Sequence, residues 1–200
     1  HTTQTITDAG RGLDEQTLAN ILHGAHLRNL EVLRIEDTTL SDRIIDVLLG
    51  APCLTNLREL YLGRNLLGDQ SLSKLSRAGA LPRLEVLSLA GNQINHTGIL
   101  DMLEEQTLRN LRELYLDENA ITDACVQALA ISSLGRRLEK LGLAGNEQIT
   151  DHGLEALRAR IEVGLPALEQ LHLMGCGADD GKALALMRDV RELARQRTRS

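Results

Sequence analysis

The chain has no phenylalanine and no tryptophan, and its only aromatic residues are Tyr61 and Tyr115. A core must therefore be aliphatic, which leaves the two rings for another purpose. Cysteine is scarce and odd in number. Cys53, Cys125 and Cys176 lie far apart, which argues against a disulfide framework and for reduced thiols in a cytoplasmic setting. No apolar run approaches a membrane span, so no membrane contact is expected. The opening stretch HTTQTITDAG is polar and does not read as a signal peptide. Because His1 rather than Met comes first, the expectation is a fragment or processed chain, part of a larger protein or assembly. Positive charge is short as well: 22 Lys and Arg against 28 Asp and Glu give -6. From Arg188 to Ser200 five Arg face Asp189 and Glu192, a local +3 that leaves -9 on the rest. That balance disfavours nucleic acid as a ligand.

Catalytic patterns are missing too. His23, His26, His96, His152 and His172 show no metal-ligand spacing, and no HExxH or paired CxxC occurs. Ala90-Gly91-Asn92 and Ala144-Gly145-Asn146 lack the Lys and Ser/Thr that complete a phosphate loop. No catalytic residue, metal ligand or cofactor is assigned, and no enzyme activity is expected. Cys125 is expected to be partly exposed, with no activating partner.

What the chain does have is a period. Leu30, Leu57, Leu84, Leu111 and Leu138 are spaced 27 residues apart, and a sixth copy opens at Leu168 after 30. Each begins Leu-x-x-Leu-x-Leu/Ile, usually followed by an Asn; LRELYLGRNLLGD from Leu57 and LRELYLDENAITD from Leu111 are the clearest. Further rows keep the register: Leu13, Leu40, Leu67, Ile94 and Ile121; Leu18, Ile45, Leu72, Ile99 and Val126; Leu27, Leu54, Leu81 and Leu108. Alternation at Leu60-Tyr61-Leu62 gives a short strand, and the second half of each unit reads as helix. Asp42, Asp69, Asp123 and Asp151 stand where a side chain caps helix amides, and Pro52, Pro82 and Pro166 mark helix ends. Counting back from Leu30 reaches Thr3, with Ile6 and Asp8 in the strand, so the first unit has a weak, polar strand. The extra residues before Ile149 and Leu168 fall in loop or helix, and the strand stack should survive them. Asn65, Asn92, Asn119 and Asn146, with Thr38 and Cys176 in the same row, are expected to satisfy turn backbone groups from inside.

These phrases resemble the leucine-rich repeat superfamily, and the 27-residue helical unit is similar to its ribonuclease-inhibitor-like class. The alternation of LREL-Y-L with LEVL or LEKL echoes the paired repeats of ribonuclease inhibitors. The resemblance implies an α/β solenoid or horseshoe, with a parallel sheet on the concave face and helices on the convex face. The chain divides into a degenerate repeat or cap at 1–29, a repeat core at 30–179 and a capping helix with basic tail at 180–200. The family spans nuclease inhibitors, GTPase-activating proteins, cytoskeletal or flagellar proteins and sensor regions. This chain is shorter and poorer in cysteine than a nuclease inhibitor.

Partner contact is expected on the outward strand positions. Tyr61 and Tyr115 share one outward row two strands apart, roughly 10 Å at ordinary strand spacing. Glu31, Glu36, Asp37, Glu59, Glu85, Glu113, Asp117, Glu118, Glu139 and Glu169 oppose Arg34, Arg58, Arg64, Arg112 and Lys140 there. That surplus suits a protein with a basic patch. His172 joins the same row. Tyr61, Tyr115, Arg34, Glu59, Arg64, Glu113, Asp117, Glu118 and His172 are the candidate contact residues. Ser88, Ala90, Gly91, Gly142, Ala144 and Gly145 are expected to leave room for a docking side chain or helix. The expected function is a non-catalytic protein-interaction module. The alternatives are a regulator such as a GTPase-activating protein, with Arg64 assisting hydrolysis, or a structural segment of a larger scaffold.

Overall fold

The computed structural model describes residues 4–9, as backbone, and 15–24, 27, 29–77, 79, 81–105 and 107–198. Leu13, His26 and Arg199, used in the sequence rows above, lie outside the described residues, as do the side chains of Ile6 and Asp8.

Strand and helix alternate along the chain. The strands are β1 (Gln4–Ala9), β2 (Leu30–Glu36), β3 (Glu59–Tyr61), β4 (Val86–Ser88), β5 (Glu113–Tyr115), β6 (Lys140–Gly142) and β7 (Gln170–His172). The helices are α1 (Glu15–Leu22), α2 (Arg43–Leu49), α3 (Asp69–Arg77), α4 (His96–Glu105), α5 (Asp123–Ile131), α6 (Asp151–Gly164) and α7 (Asp180–Arg197). The seven strands form one open sheet in sequence order, every pair parallel. A parallel neighbour needs a crossover, and each helix supplies it on the same side of the sheet.

Because the period is constant, equivalent residues meet across the ladder. Leu33, Leu60, Leu87, Leu114, Leu141 and Leu171 pair in one continuous row. Side chains alternate along a strand, so this row and Ile35, Leu62, Leu89, Leu116, Leu143 and Leu173 point inward, and all are buried. The extra residues before Leu168 lengthen α6 to 14 residues and leave Lys140 opposite Gln170 in register. The polar first strand also joins the ladder, with Ile6 opposite Leu33 and Asp8 opposite Ile35. A single register shift falls between Gln4 and Thr5.

After each strand from β2 to β7 the chain turns through a left-handed residue. This is Gly at Gly91, Gly145 and Gly175 (φ 66, 70 and 69), but Asp37, Arg64 and Glu118 adopt it too (φ 58, 50 and 53). A side chain in that region costs about 1 kcal/mol or more. The turn aims the next residue, the repeated Asn, back under the strand ends. There Asn146 donates to the carbonyls of Leu116 (2.9 Å) and Leu143 (2.8 Å) and accepts from the amides of Asn119 (3.1 Å) and Ile121 (3.0 Å). Asn65, Asn92 and Asn119 repeat the pattern, and the Thr38 hydroxyl donates to Asn65 Oδ1 (2.7 Å). The row thus joins each unit to the one before, as its position suggested.

The aspartates differ from expectation. None of Asp42, Asp69, Asp123 and Asp151 is recorded capping its own helix; each reaches forward to an amide of the following unit. Asp42 accepts from Gly68 N (2.8 Å), Asp69 from Asn95 N (2.8 Å), Asp123 from Thr150 N (2.8 Å) and Asp151 from Asp179 N (2.9 Å). They form a second inter-unit ladder on the helix side. In the fourth unit His96 takes the aspartate's place and faces Cys125 instead.

At the C-terminal end the inward leucines of the last unit stay covered. Leu168, Leu171 and Leu173 are at most 1% exposed. α7 closes over them with Ala183, Leu186 and Val190, and Arg197 Nη1 reaches the Leu168 carbonyl (3.2 Å).

Candidate partner-binding face

The outward side chains of the sheet make up the candidate face. Tyr61, Ser88 and Tyr115 lie opposite one another on β3, β4 and β5, followed by Gly142 and His172 on β6 and β7. The period-two geometry puts a glutamate on the same face two residues before each tyrosine. Tyr61 donates to Glu59 (2.9 Å) and Tyr115 to Glu113 (2.9 Å). Partial burial, helped by the adjacent carboxylate, pushes the Tyr61 phenol up to about 12 and the Tyr115 phenol further up. Both rings are therefore neutral hydroxyl donors held by a carboxylate of their own strand. The Arg34 guanidinium stacks over Tyr61, 3.8 Å from the ring centre, a contact worth on the order of 0.5–1 kcal/mol at such a site.

All five cations on this face are tied to acids of the face. Arg58 pairs with Glu85, Arg112 with Glu139 (2.6 Å), Lys140 with Glu113 (2.9 Å), Arg64 with Asp37, and Arg34 with Glu36 (3.5 Å). Four of the five pairs cross between successive units, the sheet's counterpart of helical i,i+4 pairs. The surplus includes Glu59, Asp117, Glu118 and Glu169, which carry no ion pair among the described residues. Burial raises the Asp117 carboxyl, while its bond from Ala144 N (2.9 Å) and the nearby His172 pull it partly back down. Exposed His172 thus lies close enough to feel the Asp117 charge, but no bond joins them.

At the three glycines the expected open space is taken up, because a side chain from the preceding unit lies over each one. Arg64 Cγ is 2.8 Å from where a Cβ on Gly91 would stand, and Glu118 Cγ is 3.0 Å from the same point on Gly145. The Asp117 carboxylate fills the equivalent space at Gly142. Ser88, flanked by the tyrosines, is 7% exposed, and Val86 below it is 9% exposed. The face is a continuous surface of rings, carboxylates and paired cations rather than a slotted one.

The structure brings Tyr61, Tyr115, Arg34, Glu59, Glu113, Asp117 and His172 together across the middle strands. Arg64 and Glu118 stand at the turn rim, with side chains reclining on the neighbouring glycines. Sequence reasoning missed the partly exposed Val32 of this face and the cross-strand pairing; acid and base alternating from unit to unit in one row, as at Arg58, Glu85, Arg112 and Glu139, was the available signal.

Cys125 also departs from expectation. It is buried, and its Sγ lies 3.4 Å from both His96 Nδ1 and the Thr122 hydroxyl. Cys53 is buried as well, with its thiol on the Leu22 carbonyl (3.3 Å) and pushed up by burial. Cys176 packs against the core in the asparagine row. No group of three or more metal-ligating side chains occurs among the described residues. No helix among them is long and apolar enough to cross a membrane.

A single sheet of parallel strands, an inward aliphatic pair on each strand from β2 to β7 and an asparagine at four of the turns define a leucine-rich repeat solenoid. Consistent with this, the Leucine Rich repeat family model matches residues 53–76, 107–130 and 137–157. The chain thus carries leucine-rich repeats, units that in general form a non-catalytic fold for protein–protein interaction. No curated protein matches the chain.

Proposed function

We propose that the chain is a protein-interaction module whose concave sheet binds a partner with a basic patch, anchored by Tyr61 and Tyr115. One observation carries this: the only two aromatic side chains stand on the outward face in one row, each held in place by a glutamate on its own strand. Tyrosine gives a large contact area at small entropic cost, which favours it at interface hot spots. The acid surplus at Glu59, Asp117, Glu118 and Glu169 supports a basic partner, chiefly through steering and orientation. His172 extends the face toward β7. The repeat core is 30–179, with 1–29 a degenerate N-terminal repeat or cap and 180–200 a capping helix with a basic tail. The 27-residue helical unit supports the ribonuclease-inhibitor-like class, and the three thiols support a cytoplasmic setting.

The GTPase-activating alternative asks Arg64 to reach into a bound GTPase. That guanidinium is tied to Asp37, and its stem lies against Gly91, so it is poorly placed for the task.

The test compares affinity capture from native extract by the wild-type chain and by a Tyr61→Ala/Tyr115→Ala variant. The variant should stay folded by circular dichroism and lose the partner, with about 2 kcal/mol or more of affinity lost for the purified pair. A folded variant that keeps the same partner at the same affinity removes the tyrosine anchor, and the scaffold alternative then takes its place.

A further inference from the structure

We propose that the outer face of α7, on the side away from α6, docks an acidic amphipathic helix of a partner protein. The site lies away from the concave sheet and does not depend on the function proposed for it.

Among the described residues, three of the six helix junctions are joined by charge as well as by packing: Lys74 of α3 binds Asp46 of α2 (2.6 Å), and Arg77 of α3 binds Glu105 of α4 (3.2 Å). At the last junction Arg158 of α6 binds Asp189 of α7, and Lys182 of α7 binds Asp151 of α6 (2.6 Å). α7 then presents Arg188, Arg191 and Arg195, all exposed and without an ion pair among the described residues. Their spacing puts them on one side of the helix.

Between them lies apolar surface. Leu184 is 52% exposed, and Met187 is partly so. The two stand where Glu155 and Arg158 stand in α6, and those are side chains that line the junction with α7. In α7 the same positions face outward. A groove of about 530 Å³ runs along the helix past Leu184, Met187 and the three arginines.

The occupant's chemistry follows from these residues. Every earlier helix carries the next one on this side, so the groove has the shape that a helix fills. Three exposed guanidinium groups, against Glu192 as the one acid lining the groove, favour carboxylates in the occupant, and Leu184 favours an apolar residue beside them. A phosphate backbone would answer the charge but leave Leu184 and Met187 uncovered, and the -9 carried by the rest of the chain opposes it.

The test uses a displayed library of helical peptides randomised over one whole face. It is panned on the wild-type chain with counter-selection on an Arg188→Ser/Arg191→Ser/Arg195→Ser variant whose fold is verified by its melting curve. The expected result is enrichment of Asp and Glu beside Leu-like residues at three- and four-residue spacing. Selected peptides should bind the triple variant about 10-fold or more weakly and bind the Tyr61→Ala/Tyr115→Ala variant unchanged. Binders indifferent to the three arginines would overturn the proposal. So would polyglutamate or an oligo-dT strand competing as well as the peptides, which would reduce the face to unspecific charge attraction. Arginine-dependent self-association in sedimentation, with no helical binder selected, would replace the partner with a second copy.

Discussion

Replacing Asn146 by Ala should cost far more stability than replacing Asn92, although the two hold the same repeat position. Asn146 is fully buried, and its amide serves four backbone groups at good distance: the carbonyls of Leu116 and Leu143 and the amides of Asn119 and Ile121. Truncation orphans all four with no route for water. An unsatisfied buried group costs about 1–3 kcal/mol, and the cavity can close over part of the loss. The expected penalty is therefore about 3–5 kcal/mol, the range of large mutational effects. Asn92 is half-buried and accepts from one amide, that of Leu67 (3.0 Å), so solvent can replace much of what it does. Its loss should cost about 1–2 kcal/mol. Urea unfolding followed by circular dichroism measures both. The slope must be unchanged for the midpoints to be compared, since repeat arrays can lose cooperativity. Equal penalties at the two positions would refute the reasoning, because they would mean that the ladder's value does not depend on excluding water. A penalty below about 1 kcal/mol at Asn146 would do the same.

The remaining predictions concern the face and its turns. Tyrosinate absorbance should stay low well beyond the ordinary phenol value near 10, with Tyr61 ionising at about 12 and Tyr115 later. The sign follows from linkage: the folded chain holds these protons more tightly, so their contribution to stability is complete below the unfolded pKa and lost as pH rises through the folded one. A tyrosinate transition near pH 10 in the folded chain would refute the locked hydroxyls. At the turns, Gly91→Ala should cost about 1–2 kcal/mol, combining a positive φ with a clash against Arg64 Cγ. Adding Arg64→Ala, which removes Cγ but keeps a side chain at the same φ, should return the steric share, and a double-mutant cycle in urea with no coupling would count against the overlap.

The fold was legible because its determinants are rows. A constant interval carried the leucines, the parallel register and the asparagine ladder, and one insertion fell in the turn before α6 while the other lengthened that helix. What the rows did not reveal is how neighbours in adjacent units share space. Asp42 and Asp123 look like helix caps in one dimension, since a carboxylate at a helix start ordinarily serves its own amides. Stacking brings the next unit's amide within reach of each. Gly91, Gly142 and Gly145 look like gaps for the same reason, because the side chains that fill them come from one unit earlier. Cys125 has no neighbour in sequence that would engage it, and its partner His96 arrives only through the stack.

Because inward rows carry the stability, outward rows can change without disturbing the fold, and information about binding collects there. A solvated sheet face needs no more than polar side chains; Tyr61 and Tyr115 exceed that need, and Glu59 and Glu113 restrain rings that the fold would tolerate loose. The charges point the same way by a different route. All five cations of the concave face are neutralised within it, so its unpaired charge is acidic. The reverse holds on α7, where the helix-to-helix pairing stops and three arginines remain. The solenoid thus carries charge of opposite sign on its sheet face and at its C-terminal end. A partner that engages one is not expected to compete for the other, and substitutions at the tyrosines and at the arginines should act independently.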